Sequence, residues 1–183
     1  MVTILFTHPW HGSFNHAILD TVTAKLEKEG RPYQVIDLPK DNFNPLMKEA
    51  DLKLYSAGKF DDPLVGKYQN MLKESEEVIF IFPIWWGMMP ADLKGFLDKV
   101  LLVGFSHSYE NGWTPLMTNI KKTTILTTSE SPTENWKVFI EDVFLKNLYS
   151  LGFQNGTWLN CQGTTHGGND NRVNFLKQVE EII

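Results

Sequence analysis

The chain has a single cysteine, Cys161, in 183 residues. One cysteine excludes an intramolecular disulfide framework and a cysteine-rich metal centre, and its place at the end of an apolar run reads as packing, not reactivity. Positive charge is also scarce: 17 Lys and Arg stand against 22 Asp and Glu, a net charge of −5. A nucleic-acid-binding surface would be basic, so that class is excluded. No apolar run approaches the roughly 18 residues that suggest a membrane span. The opening Met1-Val2-Thr3-Ile4-Leu5-Phe6 lacks the charged n-region and small-residue cleavage site of a signal peptide and reads as a strand. The histidines His8, His11, His16, His107 and His166 contain no helical pair flanked by acids, so no metal site is expected. The expectation is a soluble cytoplasmic protein. With no repeat, low-complexity run or linker, and with 42% hydrophobic and 21% charged residues, it suits one domain, 1–183.

Aromatic residues, by contrast, are plentiful: 13% of the chain, with six Trp. Two of these stand together in Phe82-Pro83-Ile84-Trp85-Trp86-Gly87-Met88-Met89-Pro90-Ala91. This segment follows the buried-looking run Val78 to Phe82 and precedes a helix from Pro90 to Leu102, with Pro in its first turn. Strand and helix signals alternate along the rest of the chain. Apolar, mostly non-alternating runs at Thr3–Thr7, Tyr33–Leu38, Val78–Phe82, Thr123–Thr127 and Gly156–Cys161 predict five strands. Helical spacing predicts helices over Asn15–Gly30, Lys48–Ala57, Pro63–Glu76, Pro90–Leu102, Asn135–Leu151 and Asn169–Ile183, and Gly104–Pro115 reads as a long aromatic loop. Continuous apolar strands between helices favour an α/β fold, a five-stranded parallel sheet with helices on both faces. The natural order is the flavodoxin-like 2-1-3-4-5.

Such sheets bind ligands beyond the carboxyl ends of their strands. Three segments lie there. His8-Pro9-Trp10-His11-Gly12-Ser13-Phe14-Asn15 leads into the first helix, whose free N–H groups and partial positive charge suit a phosphate, although Ser and Asn are also ordinary helix caps. It carries neither a P-loop nor a GxGxxG turn. Trp85-Trp86 follows the third strand, where indoles either wall an aromatic slot or pack an edge or interface. Thr127-Thr128-Ser129-Glu130 follows the fourth strand, with hydroxyls and amides able to bond a polar ring edge or to approach a helix cap. A phosphate site beside an aromatic slot suits a mononucleotide with a large ring, with flavin the obvious candidate. His166, after the fifth strand, reads as a loop histidine in preference to a site residue.

These segments resemble the flavodoxin-like NAD(P)H:quinone oxidoreductases, of the DT-diaphorase, modulator-of-drug-activity and potassium-efflux ancillary flavoprotein type. The likeness spans nearly the whole chain. It rests on His8-Pro9 with Ser13-Phe14-Asn15, on Asp41-Asn42-Phe43-Asn44-Pro45-Leu46, and on Phe82-Pro83-Ile84-Trp85-Trp86 through Met89-Pro90-Ala91. The last continues into Leu93-Lys94-Gly95-Phe96-Leu97-Asp98-Lys99-Val100. The resemblance implies that His8, Ser13, Phe14, Asn15 and Ala17 hold a flavin phosphate and that Pro83, Ile84, Trp85 and Trp86 line the ring. Thr127, Thr128, Ser129 and Glu130 would meet its polar edge. It implies a homodimer in which Trp86, Met88, Met89, Phe105 and Tyr109, with Trp113 nearby, form a substrate wall and dimer surface.

The implied chemistry is two-electron, ping-pong hydride transfer from NADPH or NADH, through FMN in preference to FAD, to a quinone-like acceptor. No catalytic proton donor carries over. Ser129 and Glu130 stand where the family has two glycines. A Glu there would clash with the ring edge, point outward, or place a negative charge near reduced flavin and lower its potential. An ancillary subunit of a potassium-efflux system and a flavodoxin-type electron carrier are the alternative readings.

Overall fold

The computed structural model describes residues 1–183. Its chain runs β1 (Val2–Phe6), α1 (Phe14–Lys28), β2 (Tyr33–Asp37), α2 (Glu49–Tyr55), α3 (Pro63–Lys73), β3 (Glu77–Pro83) and α4 (Ala91–Val100). Then come β4 (His107–Ser108), β5 (Thr114–Pro115), β6 (Lys122–Thr128), α5 (Lys146–Ser150), β7 (Gly156–Cys161) and α6 (Gly168–Ile182). The main sheet has the order β2-β1-β3-β6-β7, all parallel. Counted over its own five strands this is 2-1-3-4-5, as the sequence predicts. Every residue of β1 and β3 is buried, which explains their unbroken apolar character.

Alternate residues feed two cores. Leu5, Phe80, Phe82 and Ile125 pack with Tyr68, Leu72, Phe96 and Phe144 on one face. Ile4, Phe6, Ile79, Ile81 and Leu126 pack against α1 and α6 on the other. At the amino end of the sheet, Glu77 pairs with Arg31 and lies 3.2 Å from Lys122 Nζ. Arg31 and Lys122 also donate to the chain's last carbonyls, at Ile183 and Ile182. The amino edge is thus stapled by charge, and the opposite edge is left for a site.

Two elements differ from expectation. The aromatic loop contains a small antiparallel pair, β4 with β5, over which His107 stacks on Trp113 at 4.5 Å. The predicted helix Asn135–Leu151 is divided into a 3-10 turn (Thr133–Trp136), a π-helix (Val138–Leu145) and α5. Ile140, Phe144 and Leu148 keep the i, i+4 spacing of an α-helix, so periodicity alone conceals the wider turn.

Part of the motif set is structural. Gly95 and Lys99, one turn apart on α4, meet the turn at Asn44-Pro45. Lys99 is buried; its Nζ donates to the Asn44 carbonyl at 3.0 Å and sits 5.4 Å from the Phe43 ring centre. Asp62 and Asp51 lie 3.6 and 3.9 Å from it and balance the buried charge. A Cβ on Gly95 would overlap Pro45 backbone atoms. Gly95→Ala is therefore expected to cost about 1–3 kcal/mol by overpacking. A lower denaturant midpoint at unchanged m-value would register it.

Candidate functional site

The loops after β1, β3, β6 and β7 enclose a cleft of about 260 Å³. His8, Ser13, Phe14 and Asn15 supply one wall, Pro83, Ile84 and Trp85 a second, and Thr128, Ser129 and Glu130 a third. Ten of the thirteen residues predicted to touch a cofactor thus come together. The other three do not line the cleft. Ala17 lies a turn further into α1. Thr127 faces the opposite side of β6 from Thr128, where it accepts from Trp158 Nε1 at 2.9 Å and donates to Asn160 Oδ1 at 2.8 Å. Trp86 is fully exposed.

The first wall is built by α1. Ser13 is extended at the cap and its Oγ accepts from His16 N–H at 3.2 Å, leaving the amides of Phe14 and Asn15 at the open end of the helix. Asn15 is almost wholly buried; its Nδ2 donates to Thr128 Oγ1 at 2.9 Å and its Oδ1 has no partner. Turned by half a revolution, the same amide accepts from the Thr128 hydroxyl and frees its N–H for a ligand. Trp10 N–H donates to His8 Nδ1 at 3.2 Å, which puts the imidazole proton on Nε2. Burial lowers the His8 pKa, so the ring is neutral at pH 7. Its edge meets Trp85 with ring centres 5.6 Å apart.

The second wall ends in a tight turn. Trp85 and Met88 exchange backbone hydrogen bonds at 3.0 and 3.1 Å, while Trp86 (φ 52°) and Gly87 (φ 76°) are both left-handed. That is the I′ pattern, which prefers Asn-Gly or Gly-Gly. Ile84 is buried and Trp85 half-exposed, so one indole faces the cleft and the other leaves it.

At the third wall, Ser129 N–H donates to Cys161 O at 3.0 Å and Thr164 N–H to Ser129 O at 3.1 Å. The Glu130 carboxylate accepts from Thr165 N–H at 2.5 Å and pairs with His166 Nδ1 at 2.9 Å. The Thr165 hydrogen bond, then that of His166, holds the Glu130 pKa down to about 2. Glu130 therefore does not swing free; it ties two loops together. Thr164, Thr165 and Trp10 line the cleft unpredicted. The rule that ligands gather beyond strand ends points equally to the loop after β7, where the first two lie.

The predicted substrate wall is not gathered into this cleft. Met88 and Met89 border a separate apolar groove of about 340 Å³, between α4 and the π-helix with α5. Phe105 packs on the larger core beneath Lys73. Tyr109 is exposed, edge-on to His107 and Trp113. A polar cavity of about 260 Å³ adjoins the cleft through His8 and is bordered by His11, His16, Asp37 and Lys40. No three His, Cys, Asp or Glu side chains are placed to hold a metal ion. No helix is long and apolar enough to cross a membrane. Cys161 is buried, as expected, and burial pushes its thiol pKa up.

The arrangement joins a helix N-terminus, which favours an anion, to an indole face and a rim of hydroxyls and amides. These are the groups that a flavin mononucleotide, a flat aromatic ring bearing a phosphate, requires of a site.

The Flavodoxin_2 model, described as a flavodoxin-like fold, matches residues 1–182. The chain is 27% identical to the Escherichia coli uncharacterized NAD(P)H oxidoreductase YcaK over 100% of its own length and 96% of that protein's. It is 29% identical to an uncharacterized NAD(P)H oxidoreductase of Haemophilus influenzae, over 83% of this chain and 75% of that one. The chain spans only 44% of rat NAD(P)H dehydrogenase [quinone] 1, to which it is 31% identical over 58% of itself. Among solved structures, an NAD(P)H:quinone oxidoreductase from Methanothermobacter marburgensis superposes with a TM-score of 0.88 at 25% identity, covering 98% of this chain and 95% of that one. An FMN-dependent NADH-azoreductase from Bacillus anthracis, solved with FMN, shares the fold at a TM-score of 0.76 and 17% identity, over 98% and 96% of the two chains.

The left-handed Trp86 carries strain without burying its side chain. Trp86→Asn is expected to stabilise the chain in dilute solution by about 0.5–1 kcal/mol, since Asn tolerates this conformation. Chemical denaturation of the two proteins side by side checks it.

Proposed function

The chain belongs to the Flavodoxin_2 family, and on that premise we propose that it is a flavin-dependent NAD(P)H oxidoreductase that reduces a quinone or similar aromatic acceptor. The observation that carries this reading is the meeting, in one cleft, of the α1 N-terminus with the Trp85 face and the Thr128-Ser129 rim. The names of the relatives and structural neighbours agree with it. FMN is the cofactor that the short helix-capped phosphate wall suits, and the azoreductase neighbour binds that same cofactor.

Flavin would supply the hydride-accepting chemistry; the protein supplies position and electrostatics. The α1 amides of Phe14 and Asn15 and the Ser13 cap would hold the phosphate dianion at the positive end of the helix dipole. His8, neutral, can add an Nε2–H donor. Pro83, Ile84 and Trp85 present a flat apolar face that orients an aromatic ring and keeps water from it. Thr128 and Ser129 offer hydroxyl and amide donors to its polar edge. Donor and acceptor both need the same ring face, so one must leave before the other enters, which makes turnover ping-pong.

A second copy of the chain, covering exposed Trp86, Met88, Tyr109 and Trp113 and the groove beside Met89, would complete the acceptor side. Each copy acts as one domain, in the cytoplasm where NAD(P)H is supplied.

Denaturing the purified protein should release FMN, identified by chromatography. The loaded protein should oxidise NAD(P)H with a menadione-type quinone and give parallel double-reciprocal lines. No flavin, even after reconstitution, sinks the reading; flavin without turnover favours an ancillary subunit, and a stable one-electron form on titration favours an electron carrier. Sedimentation at micromolar concentration should show a dimer. Asn15→Asp keeps the shape of the side chain but sets a carboxylate against the phosphate. It should weaken FMN by about tenfold or more and leave riboflavin, which has no phosphate, little changed.

A further inference from the structure

Of the residues lining the cleft, none is Lys or Arg, and Glu130 is the one carboxylate. The wall nearest the ring side therefore carries a fixed negative charge that nothing lining the cleft opposes. The charge is not an accident of a loose side chain. Ser129 is anchored to Cys161 and Thr164 through the backbone, and the Glu130 carboxylate is held at both oxygens, by Thr165 N–H on Oε1 and His166 Nδ1 on Oε2. His166 is mostly exposed and can exchange protons with water, whereas Glu130 borders the cleft. A proton on His166 is thus felt at the cleft through a carboxylate that stays ionised.

Other ionisable groups surround this corner. His8 faces it across the cleft, and burial favours its neutral form. Cys161 ends β7, and both Arg172 of α6 and Glu130 act on its thiol. Asp170 lies in the first turn of α6. Glu134, on the 3-10 turn, is paired with Lys137 at 2.9 Å.

We propose that Glu130 and His166 form a charge pair that sets the reduction potential of the flavin in this cleft and makes it depend on pH. The proposal rests on the flavin reading above. Hydride transfer moves two electrons and one proton from the reduced nicotinamide, which becomes the oxidised cation, and adds one net negative charge to the cleft. Glu130 opposes that charge. A proton taken from water onto the His166 imidazole compensates it, so the electron pair and the proton arrive on different groups and the charges balance. With the imidazole neutral the carboxylate is uncompensated and the reduced state is disfavoured; with it protonated the pair is neutral and the reduced state is favoured.

The test is the midpoint potential of the flavin-loaded protein, measured by dye equilibration at about pH 5.5 and about pH 8.5, which bracket the range where histidine side chains in general change charge. Glu130→Gln keeps an acceptor for Thr165 and a donor for the ring of His166. At the higher pH it should favour the reduced over the oxidised flavin by about tenfold, an upward shift of about 30 mV for a two-electron couple. His166→Gln keeps a donor for Glu130. It should lower the potential by a similar amount at the lower pH and leave it unchanged at the higher. Displacements of opposite sign in the two variants, with that of His166→Gln confined to the lower pH, are what a purely structural tie between loops would not give. Potentials that do not move in either variant, or a His166→Gln shift that is the same at both pH values, overturn the charge pair. If Glu130→Gln fails to hold flavin, His166→Gln still decides. Wild-type protein that binds no flavin overturns the function; normal flavin binding with unmoved potentials overturns the pair alone.

Discussion

The site depends on a hydrogen-bond ladder that does not stop where the strands do. Beyond Pro83, Ile84 N–H still donates to Thr128 O at 2.8 Å; beyond Thr128, Ser129 N–H still donates to Cys161 O; and Thr164 N–H returns to Ser129 O. Three loops that would otherwise move independently are thereby placed in the register of the sheet. A slip of one residue in β6 would turn Thr128 away from the cleft and Thr127 into it. The two cores that bury both faces of β3 forbid that slip, so apolar packing far from the cleft determines which hydroxyls line it.

The Trp85-Trp86 turn shows how such a frame can hold an unfavourable local choice. A left-handed tryptophan is costly in isolation. Here the turn is clamped by its own pair of backbone hydrogen bonds, by Ile84 buried at its root, and by Trp136 packed 3.4 Å from where a Cβ on Gly87 would lie. The strain separates the two indoles: one is aimed into the cleft and the other out of it. Adjacent tryptophans on a regular strand would also point to opposite sides, but toward the two cores and not toward ligand and solvent.

Much of this was legible in the sequence. Unbroken apolar runs predict the parallel sheet, and the strand-end rule gathers most of the cleft lining on three loops. What stayed hidden has particular causes. Thr127 and Thr128 are chemically alike, and only register says which one faces the cleft. Trp86 looked equivalent to Trp85 because sequence does not display a positive φ. The π-helix was concealed by an i, i+4 pattern that both helix types satisfy. Gly95 and Lys99 read as part of a functional signature, yet one admits the Asn44-Pro45 turn and the other bonds it; a motif can recur for the sake of the scaffold. His166 read as a bystander because its partner, Glu130, lies 36 residues away and meets it only when β6 and β7 are neighbours.

The distribution of charge follows from the same topology. A parallel sheet flanked by helices collects helix N-termini at its carboxyl edge, so that edge already carries partial positive charge from backbone dipoles. Adding Lys or Arg there would overbind an anion and slow its exchange; at the amino edge, where no ligand is expected, Arg31, Glu77 and Lys122 are free to staple the strands to the last turn of α6. A cleft that handles its phosphate with dipoles has no formal cation with which to neutralise a carboxylate. Glu130 in such a place finds its counter-charge outside the lining, in the loop after β7. The Thr165 amide and the His166 imidazole are what that loop provides, and their hold on Glu130 ties the electrostatics of the cleft to a group that water can protonate.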